Sequence, residues 1–358
     1  MNNNTYYKNQ LEELKGKTIA IVYIFEGEDA PGFNHYWVWK SDIISGWLNA
    51  VQELECVPFI LDVRTFVQKA MNHTLPHIDF VVNLNCGSYD LSSMSLVPST
   101  CSFLSIPCIP CNAAAIILSE NKKVSNLLAI ADGLPLPPAL DAPSENGIYR
   151  PLNLGNSIGV KKGICEDITR DGTYQEFIPG YDITIPMIYN PLIDELDLLP
   201  PLLYLPDSRN PNWIYDETEK EKDYRAYMLP ISNIDNSTKQ ALIHFAHIFP
   251  IQTFGRIDAR IKCNEARLSE AILQQPLSLN NFYFIEMNSM PTIEKEDSFE
   301  TAFQAAYEDE DHSMHLCIKT YKESIKTPSL NGFLLSCSMI AFSKAKFQNQ
   351  KDYIHTEK

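Results

Sequence analysis

Short apolar runs alternate with helical segments over the first hundred or so residues, and this alternation most limits how the chain can fold. Residues 17–24 (KTIAIVYI), 57–61 and 79–84 are rich in β-branched side chains, which is typical of buried parallel strands. Residues 41–54 place apolar side chains on one helical face, and residues 66–71 form a second candidate helix. We therefore predict βαβ units and a parallel sheet.

Length and charge limit the classes of function. A chain of 358 residues exceeds one compact core, so two or three domains are expected. Its net charge of −16 argues against a nucleic acid or an anionic membrane as partner, because both attract clustered Lys and Arg. No apolar run approaches the roughly 20 residues of a membrane span, and the polar first 17 residues do not resemble a secretory signal. We expect a cytoplasmic protein.

The cysteine pattern does not predict a disulfide framework or a zinc site. The nine cysteines are scattered and odd in number. Cys108 and Cys111 form a C-x-x-C, but prolines interleave them and no second pair follows. We interpret both as buried apolar residues.

Later elements are predicted from periodicity and capping residues. Ser119 is expected to cap a helix that runs to residue 130, and Ser237 a helix over residues 237–249. Residues 190–212 contain several prolines and predict a mostly irregular segment, whereas residues 301–325 predict one long helix.

Two fragments carry residues suited to a divalent cation: FGRID (residues 254–258) and FIEMN (residues 284–288). Each is typical of a short strand. Asp258, Glu286 and Asn288 offer only hard oxygen ligands, which suit Mg²⁺ between carboxylates and substrate phosphates. Arg256 adds a fixed positive fork for a phosphate or oxyanion. The alternative, two strands with acidic ends, stays open at this point.

Four segments in order resemble the ATP-grasp superfamily, and within it the D-alanine–D-alanine ligase family. The likeness runs from about residue 106 to 293 and is weak over the N-terminal part. Its segments are IPCIPCNAAAIILSENKKVSNLLAIADGLPLPP (106–138), YRPLNLGNSIGV (149–160), YQEFIPGYDIT (174–184) and the FGRID and FIEMN pair.

The resemblance implies an α/β fold in which a Rossmann-like parallel-sheet domain precedes two ATP-grasp lobes. The expected divisions are residues 1–110 for the N-terminal domain, 111–185 for a central lobe and 186–358 for the C-terminal lobe. The central lobe is abridged, because few residues separate Pro138 from Tyr149.

The resemblance also implies a nucleotide site. A glycine-rich loop can close its backbone N–H groups over phosphates, although an ordinary hairpin turn also fits that loop. The hinge can offer backbone amides and an apolar wall to adenine, and a carboxylate can accept from ribose hydroxyls. The implied residues are Lys122, Arg150, Gly155, Asn156, Ser157, Gln175, Glu176, Phe177, Ile178, Asp182 and Lys220.

The implied reaction joins a carboxylate to an amine. The carboxylate attacks the γ-phosphate of ATP to give an acylphosphate, and the amine then displaces phosphate to form an amide. Asp258, Glu286 and Asn288 are expected to hold Mg²⁺, with Arg256 and Ser157 as catalytic residues. The partners are then a small carboxylate and a small amine, and a homodimer is possible because family members are often dimers.

Departures from the family pattern fall at one nucleotide position and at several substrate positions. Arg150 replaces the strand lysine, Cys86 replaces a histidine, and Thr292 replaces the glycine of the oxyanion site. An aromatic stretch, residues 33–39, stands where the family grips the first D-alanine. We therefore expect substrates other than D-alanine. The alternatives are a nucleotide-binding pseudo-enzyme with a regulatory or scaffold role and, last, a true D-alanine–D-alanine ligase.

Overall fold

The structure is a computed structural model that describes residues 3–25, 41–86, 91–153, 155, 157–165, 171–216, 219, 227–231, 233–263 and 276–356. Three of the expectations above lie outside these residues: Asn156, Lys220 and the aromatic stretch 33–39.

A parallel sheet forms the N-terminal part, as the alternation predicts. Its four strands lie in the order β2-β1-β3-β4, and every neighbouring pair is parallel. Cys108 and Cys111 are both buried, as expected. The helices here are α1 (Asn3–Leu14), α2 (Ser41–Glu53), α3 (Val63–Met71), α4 (Leu91–Met94) and α5 (Leu96–Phe103), and the strands are β1 (Thr18–Tyr23), β2 (Val57–Asp62), β3 (Phe80–Asn83) and β4 (Cys108–Ile109).

The helix expected to follow Ser119 begins at Lys122 as α7 (Lys122–Ala131), and a separate helix, α6 (Ala113–Glu120), precedes it. Asn121 between them has an extended backbone, and its side chain caps α7 by accepting from Lys123 N and Val124 N. The prediction of Ser119 as the cap was wrong. The Asn121 side chain accepts hydrogen bonds from N–H groups of the first helical turn that lack a partner within the helix, and this favours a helix start.

A three-stranded antiparallel sheet comes next, in the order β6-β5-β7. Its strands are β5 (Gly147–Pro151), β6 (Lys161–Lys162) and β7 (Gly172–Glu176).

The largest sheet has six antiparallel strands. Its path is β11-β10-β8-β12-β13, and β9 also pairs with β8. The strands are β8 (Gly180–Asn190), β9 (Glu195–Leu198), β10 (Leu202–Leu205), β11 (Tyr227–Pro230), β12 (Phe254–Lys262) and β13 (Phe282–Asn288). The lobe boundary expected after residue 185 thus falls inside β8.

The expectation of a mostly irregular segment over residues 190–212 is correct only in part, because β9 and β10 lie within it. Prolines follow both strands, at Pro200 and Pro206, so they end the strands and do not prevent them.

Further along the described residues lie the helices α8 (Asn236–Ile248), α9 (Ser298–Glu308), α10 (His315–Ser324) and α11 (Leu330–Thr356). The cap of α8 is Asp235, whose carboxylate accepts from Thr238 N at 3.3 Å. The prediction of Ser237 as this cap was wrong. The single helix expected over residues 301–325 is divided into α9 and α10, because the backbone adopts an extended conformation at Asp309. No described helix is long and apolar enough to span a bilayer.

Aromatic packing under the six-stranded sheet holds β13 in place. The Phe284 ring on β13 is fully buried and meets the Phe245 ring of α8 edge-on, with 5.0 Å between centroids. Phe245 makes a second edge-on contact with Phe249, also at 5.0 Å. These contacts fix one face of β13. Glu286 and Asn288 lie on the other face, because the register irregularity between Asp258 and Ala259 interrupts the alternation between Phe284 and Glu286.

We predict that Phe284→Ala lowers the free energy of unfolding by about 3–5 kcal/mol, because it removes a large buried ring and leaves a cavity. Urea unfolding followed by circular dichroism measures this. Phe103→Ala is the matched control: that ring is 83% exposed, so a change of at most about 0.5 kcal/mol is expected. Equal losses in the two variants would contradict this account of the core.

Candidate active site

A cavity of about 740 Å³ is bordered by residues of the three-stranded sheet, of β8, β12 and β13, and of the α6 to α7 junction. All of the predicted site residues that the structure describes line this cavity. They are Lys122, Arg150, Gly155, Ser157, Gln175, Glu176, Phe177, Ile178, Asp182, Arg256, Asp258, Glu286 and Asn288.

The antiparallel pairing of β12 with β13 brings the acidic residues together. Asp258 lies directly opposite Glu286, and Arg256 lies opposite Asn288. Directly opposed residues project from the same face of a sheet, so all four side chains face the cavity. A register shift follows Asp258 on β12. Asn288 Oδ1 accepts from Met290 N at 3.3 Å, which orients the amide.

Asp258 is held by two donors. Arg256 Nη2 donates to its Oδ2 at 3.0 Å, and Thr184 Oγ1 on β8 donates to its Oδ1 at 2.6 Å. Burial raises the pKa of Asp258; Arg256 opposes this and the nearby Glu286 adds to it. Burial alone would lower the pKa of Arg256, but Asp258 and its other neighbours outweigh burial, and the pKa is raised. The guanidinium therefore stays charged.

Glu286 faces two cations from other segments. Lys122 Nζ lies 3.4 Å and Arg150 Nη2 3.3 Å from Glu286 Oε2. Arg150 also donates to the carbonyl of Ile285 at 2.8 Å, so β5 is tied to β13. Burial lowers the pKa of Arg150, and Glu286 partly offsets this. Lys122 and Arg150 are both buried, which places two positive charges beside one carboxylate where screening by water is weak.

The donor set suits a hard cation. Within the described part of the chain, no group of three or more His, Cys, Asp and Glu side chains is arranged to hold a metal ion. Asp258, Glu286 and Asn288 instead supply two carboxylates and one amide oxygen. Such a partial set fits Mg²⁺, which keeps several waters or phosphate oxygens in its octahedral shell. Two half-buried carboxylates side by side repel, and a divalent cation would relieve that repulsion.

The glycine-rich loop forms a compact turn beside the cavity. Ile158 N donates to Gly155 O and Val160 N to Ser157 O, both at 3.1 Å. Ser157 has a positive φ of 61°, and its hydroxyl donates to the carbonyl of Tyr215 at 3.0 Å. The sequence allowed two interpretations of this loop, an ordinary turn and a phosphate-binding loop. The two are compatible, because a turn at the cavity wall can also contact a bound phosphate.

The hinge differs in part from its expectation. Glu176 N donates to Pro138 O and Phe177 N to Asn146 O, each at 2.8 Å. The backbone amides of these two residues are therefore engaged within the protein, because the end of β7 pairs with the segments around Pro138 and Asn146. Phe177 and Ile178 are buried at the cavity wall, as an apolar wall for adenine requires.

Asp182 lies on β8 opposite Arg260 of β12. Its Oδ1 accepts from Arg260 Nη1 at 2.7 Å, and its Oδ2 accepts from Tyr215 N at 3.4 Å. Gly180 allows this approach of the strands: a Cβ at Gly180 would lie 1.9 Å from the carbonyl oxygen of Ile261, so no other residue fits there.

Glu120, Thr184 and Arg260 are among the residues in or beside the cavity that sequence reasoning missed. Arg260 continues the two-residue period of Arg256 and Asp258 along β12, and that alternation is a signal that could have been used. Glu120 carries no such pattern. It lines the cavity, and burial raises its pKa to about 7, against the influence of Lys122.

Comparison with solved structures identifies the fold. A D-alanine–D-alanine ligase from Bacillus anthracis in complex with ATP superposes with a TM-score of 0.55 at 15% identity, over 87% of this chain and 97% of that one. The chain has the ATP-grasp fold. A second structure of the Bacillus anthracis ligase gives 0.56 at 14% identity, over 86% and 97%. D-alanyl-alanine synthetase A from Vibrio cholerae gives 0.55 at 14% identity, over 87% and 98%. No protein-family profile and no curated protein sequence matches.

The structural likeness confirms the resemblance to D-alanine–D-alanine ligases and the fold class predicted from the sequence. The chain is mixed α/β: its parallel N-terminal sheet comes first, and the antiparallel sheets that border the cavity follow. At 14–15% identity the match concerns the fold.

We predict that Glu120→Gln becomes more stable, relative to the unchanged protein, as the pH rises from about 4.5 to about 7. A carboxyl whose folded-state pKa is raised binds its proton more tightly when folded, so stability falls as the pH rises through this window. Glutamine does not ionise. The relative gain should reach about 1–3 kcal/mol, measured by urea unfolding at several pH values in the presence of a chelator.

Glu145→Gln is the control, because Glu145 is exposed and its replacement should leave the pH dependence unchanged. A pH-independent difference between Glu120→Gln and the unchanged protein would contradict the expected burial of this carboxyl.

Proposed function

We propose that this protein is an ATP-dependent carboxylate–amine ligase that forms an amide bond and releases ADP and phosphate. The observation that carries the proposal is the Asp258 and Glu286 pair, opposed across β12 and β13 and surrounded by Arg256, Lys122 and Arg150. Paired carboxylates with convergent cations suit the handling of a polyphosphate with its divalent ion.

The phosphate end of the cavity is assigned to the cations. Lys122 and Arg150 are buried next to Glu286, where their charge can offset that of the β- and γ-phosphates. Asp258, Glu286 and Asn288 are proposed to hold Mg²⁺, which when bound would supply positive charge to offset that of the phosphates. Gly155 and Ser157, together with Asn156, are proposed to cover the phosphates, and Lys220 to add a further charge.

The adenosine end is assigned to the hinge. Phe177 and Ile178 form an apolar wall, with Gln175 and Glu176 beside them, and Asp182 accepts from the ribose. Lys162 Nζ lies 3.5 Å from the centroid of the Phe177 ring, so the wall has a cation at its edge as well.

In the proposed reaction, a carboxylate oxygen of the acid substrate attacks the γ-phosphorus, and the bond from that phosphorus to the β,γ-bridging oxygen breaks to release ADP. The amine nitrogen then attacks the carbonyl carbon of the acylphosphate. The carbon–oxygen bond to phosphate breaks and the amine loses a proton, leaving the amide and phosphate. Arg256, which is held charged beside Asp258, is proposed to stabilise the oxyanion of the tetrahedral intermediate.

The acid and the amine are proposed to differ from D-alanine. Cys86 and Thr292, which replace the family's histidine and glycine, both line the cavity. A threonine side chain occupies space that a glycine leaves open, so the wall around the reacting carbonyl has a different shape.

We assign residues 1–110, 111–185 and 186–358 to the N-terminal domain, the central lobe and the C-terminal lobe.

The test is a screen of ATP and Mg²⁺ with a panel of acids and amines, read as phosphate release and followed by mass spectrometry of the product. For any active pair, Asp258→Asn should lower the rate at least about 100-fold, because phosphate charge is then poorly neutralised. Asp141→Asn, at an exposed residue, is the matched control and should keep the full rate.

Full activity in Asp258→Asn would refute the assignment of the metal site. Nucleotide binding seen as thermal stabilisation, without phosphate release for any pair in the panel, would favour the pseudo-enzyme alternative. D-alanine as the one stimulating substrate would instead make the protein a D-alanine–D-alanine ligase.

A further inference from the structure

Arg260 occupies an unusual position for a guanidinium, at the floor of the adenosine end of the cavity. Its side chain is 6% exposed. Nε donates to Ile178 O at 2.6 Å, and Nη1 donates to Asp182 Oδ1 at 2.7 Å. Nη2 donates to three carbonyls, those of Gly180 at 2.8 Å, Pro211 at 3.1 Å and Trp213 at 2.7 Å. All three guanidinium nitrogens are therefore used.

These acceptors come from three separate parts of the chain. Ile178 belongs to the hinge, Gly180 and Asp182 to the start of β8, and the other two to the segment of residues 209–216, here called the strap. Ile214, Tyr215 and Asp216 of the strap line the cavity. Arg260 is thus the point at which hinge, β8 and strap are joined.

The strap also contacts the glycine-rich loop and the strand that follows it. Tyr215 O accepts from the Ser157 hydroxyl at 3.0 Å, and Asn212 O accepts from Lys162 Nζ at 3.1 Å. The backbone of the strap is therefore bonded to Arg260 on one side and to the loop region on the other. A displacement of Arg260 would be transmitted to both ends of the proposed nucleotide site.

The orientation of Asp182 depends on the same contacts. A carboxylate has about four acceptor positions; Arg260 takes one on Oδ1, and Tyr215 N takes one on Oδ2. The side chain is 22% exposed and lines the cavity. Acceptor capacity on both oxygens thus stays available to a ligand with two neighbouring hydroxyl groups.

We propose that Arg260 is a positioning residue that sets the selectivity of the site for a ribose, through Asp182, and so favours ribonucleotides over deoxyribonucleotides. This inference rests on the proposed function, since it assumes that a nucleotide occupies the cavity. Arginine is required because its rigid planar fork bonds several acceptors at once; lysine has a single terminal nitrogen and cannot replace it.

A purely structural role for Arg260 makes a different prediction. Loss of a buried structural contact would weaken the binding of every nucleotide by the same factor. Loss of a positioning contact to Asp182 would weaken the ribonucleotide more than its deoxy analogues. The ratio of affinities therefore separates the two roles.

The experiment is calorimetric titration with Mg²⁺ and ADP, 2′-deoxy-ADP or 3′-deoxy-ADP. The unchanged protein should bind ADP at least about tenfold more tightly than a deoxy analogue, as expected for a hydrogen bond to a charged acceptor. In Arg260→Lys the ratio should fall to about one, and Asp182→Asn should reduce it as well. Lys262→Met is the control, because Lys262 lies two residues further along β12 and is exposed.

The outcomes are distinguishable. No ADP binding by the unchanged protein would refute the proposed function, and this inference with it. Tight ADP binding with equal affinity for the deoxy analogues would refute the ribose contact alone. An unchanged affinity ratio in folded Arg260→Lys, judged by its circular dichroism spectrum, would show that Arg260 has a purely structural role.

Discussion

The arrangement of the cavity depends on one pairing, that of Asp258 with Glu286 across two antiparallel strands. Two half-buried carboxylates placed side by side repel each other, and partial burial disfavours their charge. They are tolerated because cations reach them from three different segments: Arg256 from β12 itself, Lys122 from the start of α7 and Arg150 from β5. The sheets and helices around the cavity are therefore joined through charge as well as through packing.

The same pairing couples structure to chemistry. Arg150 bonds both the backbone and the side chain of consecutive residues on β13, so the three-stranded sheet is held against the six-stranded sheet at the point where phosphate is proposed to bind. At the other end, Arg260 joins the hinge to β8 and the strap. Positive groups thus set the geometry of both ends of the cavity, in a protein whose overall charge is −16.

Local patterns predicted the elements well where one signal dominated. The β-branched runs of the N-terminal part became a parallel sheet, and the FGRID and FIEMN fragments became neighbouring strands. Errors arose where two signals competed. Asn121 caps the helix that was expected to start at Ser119, and prolines suggested a mostly irregular segment over residues 190–212, where they also end β9 and β10. Propensity is a weak prior that a strong cap or tertiary pairing overrides.

The sequence by itself determined the fold class, the residue types of the site and their order along the chain, because strand and helix periodicity and ligand chemistry are local properties. The tertiary structure decided which partner each charge has. Arg260 opposite Asp182, Thr184 beside Asp258 and the occupied amides of Glu176 and Phe177 follow from strand register and loop packing. Those contacts join residues far apart in the chain, and a one-residue change of register would redirect every side chain involved.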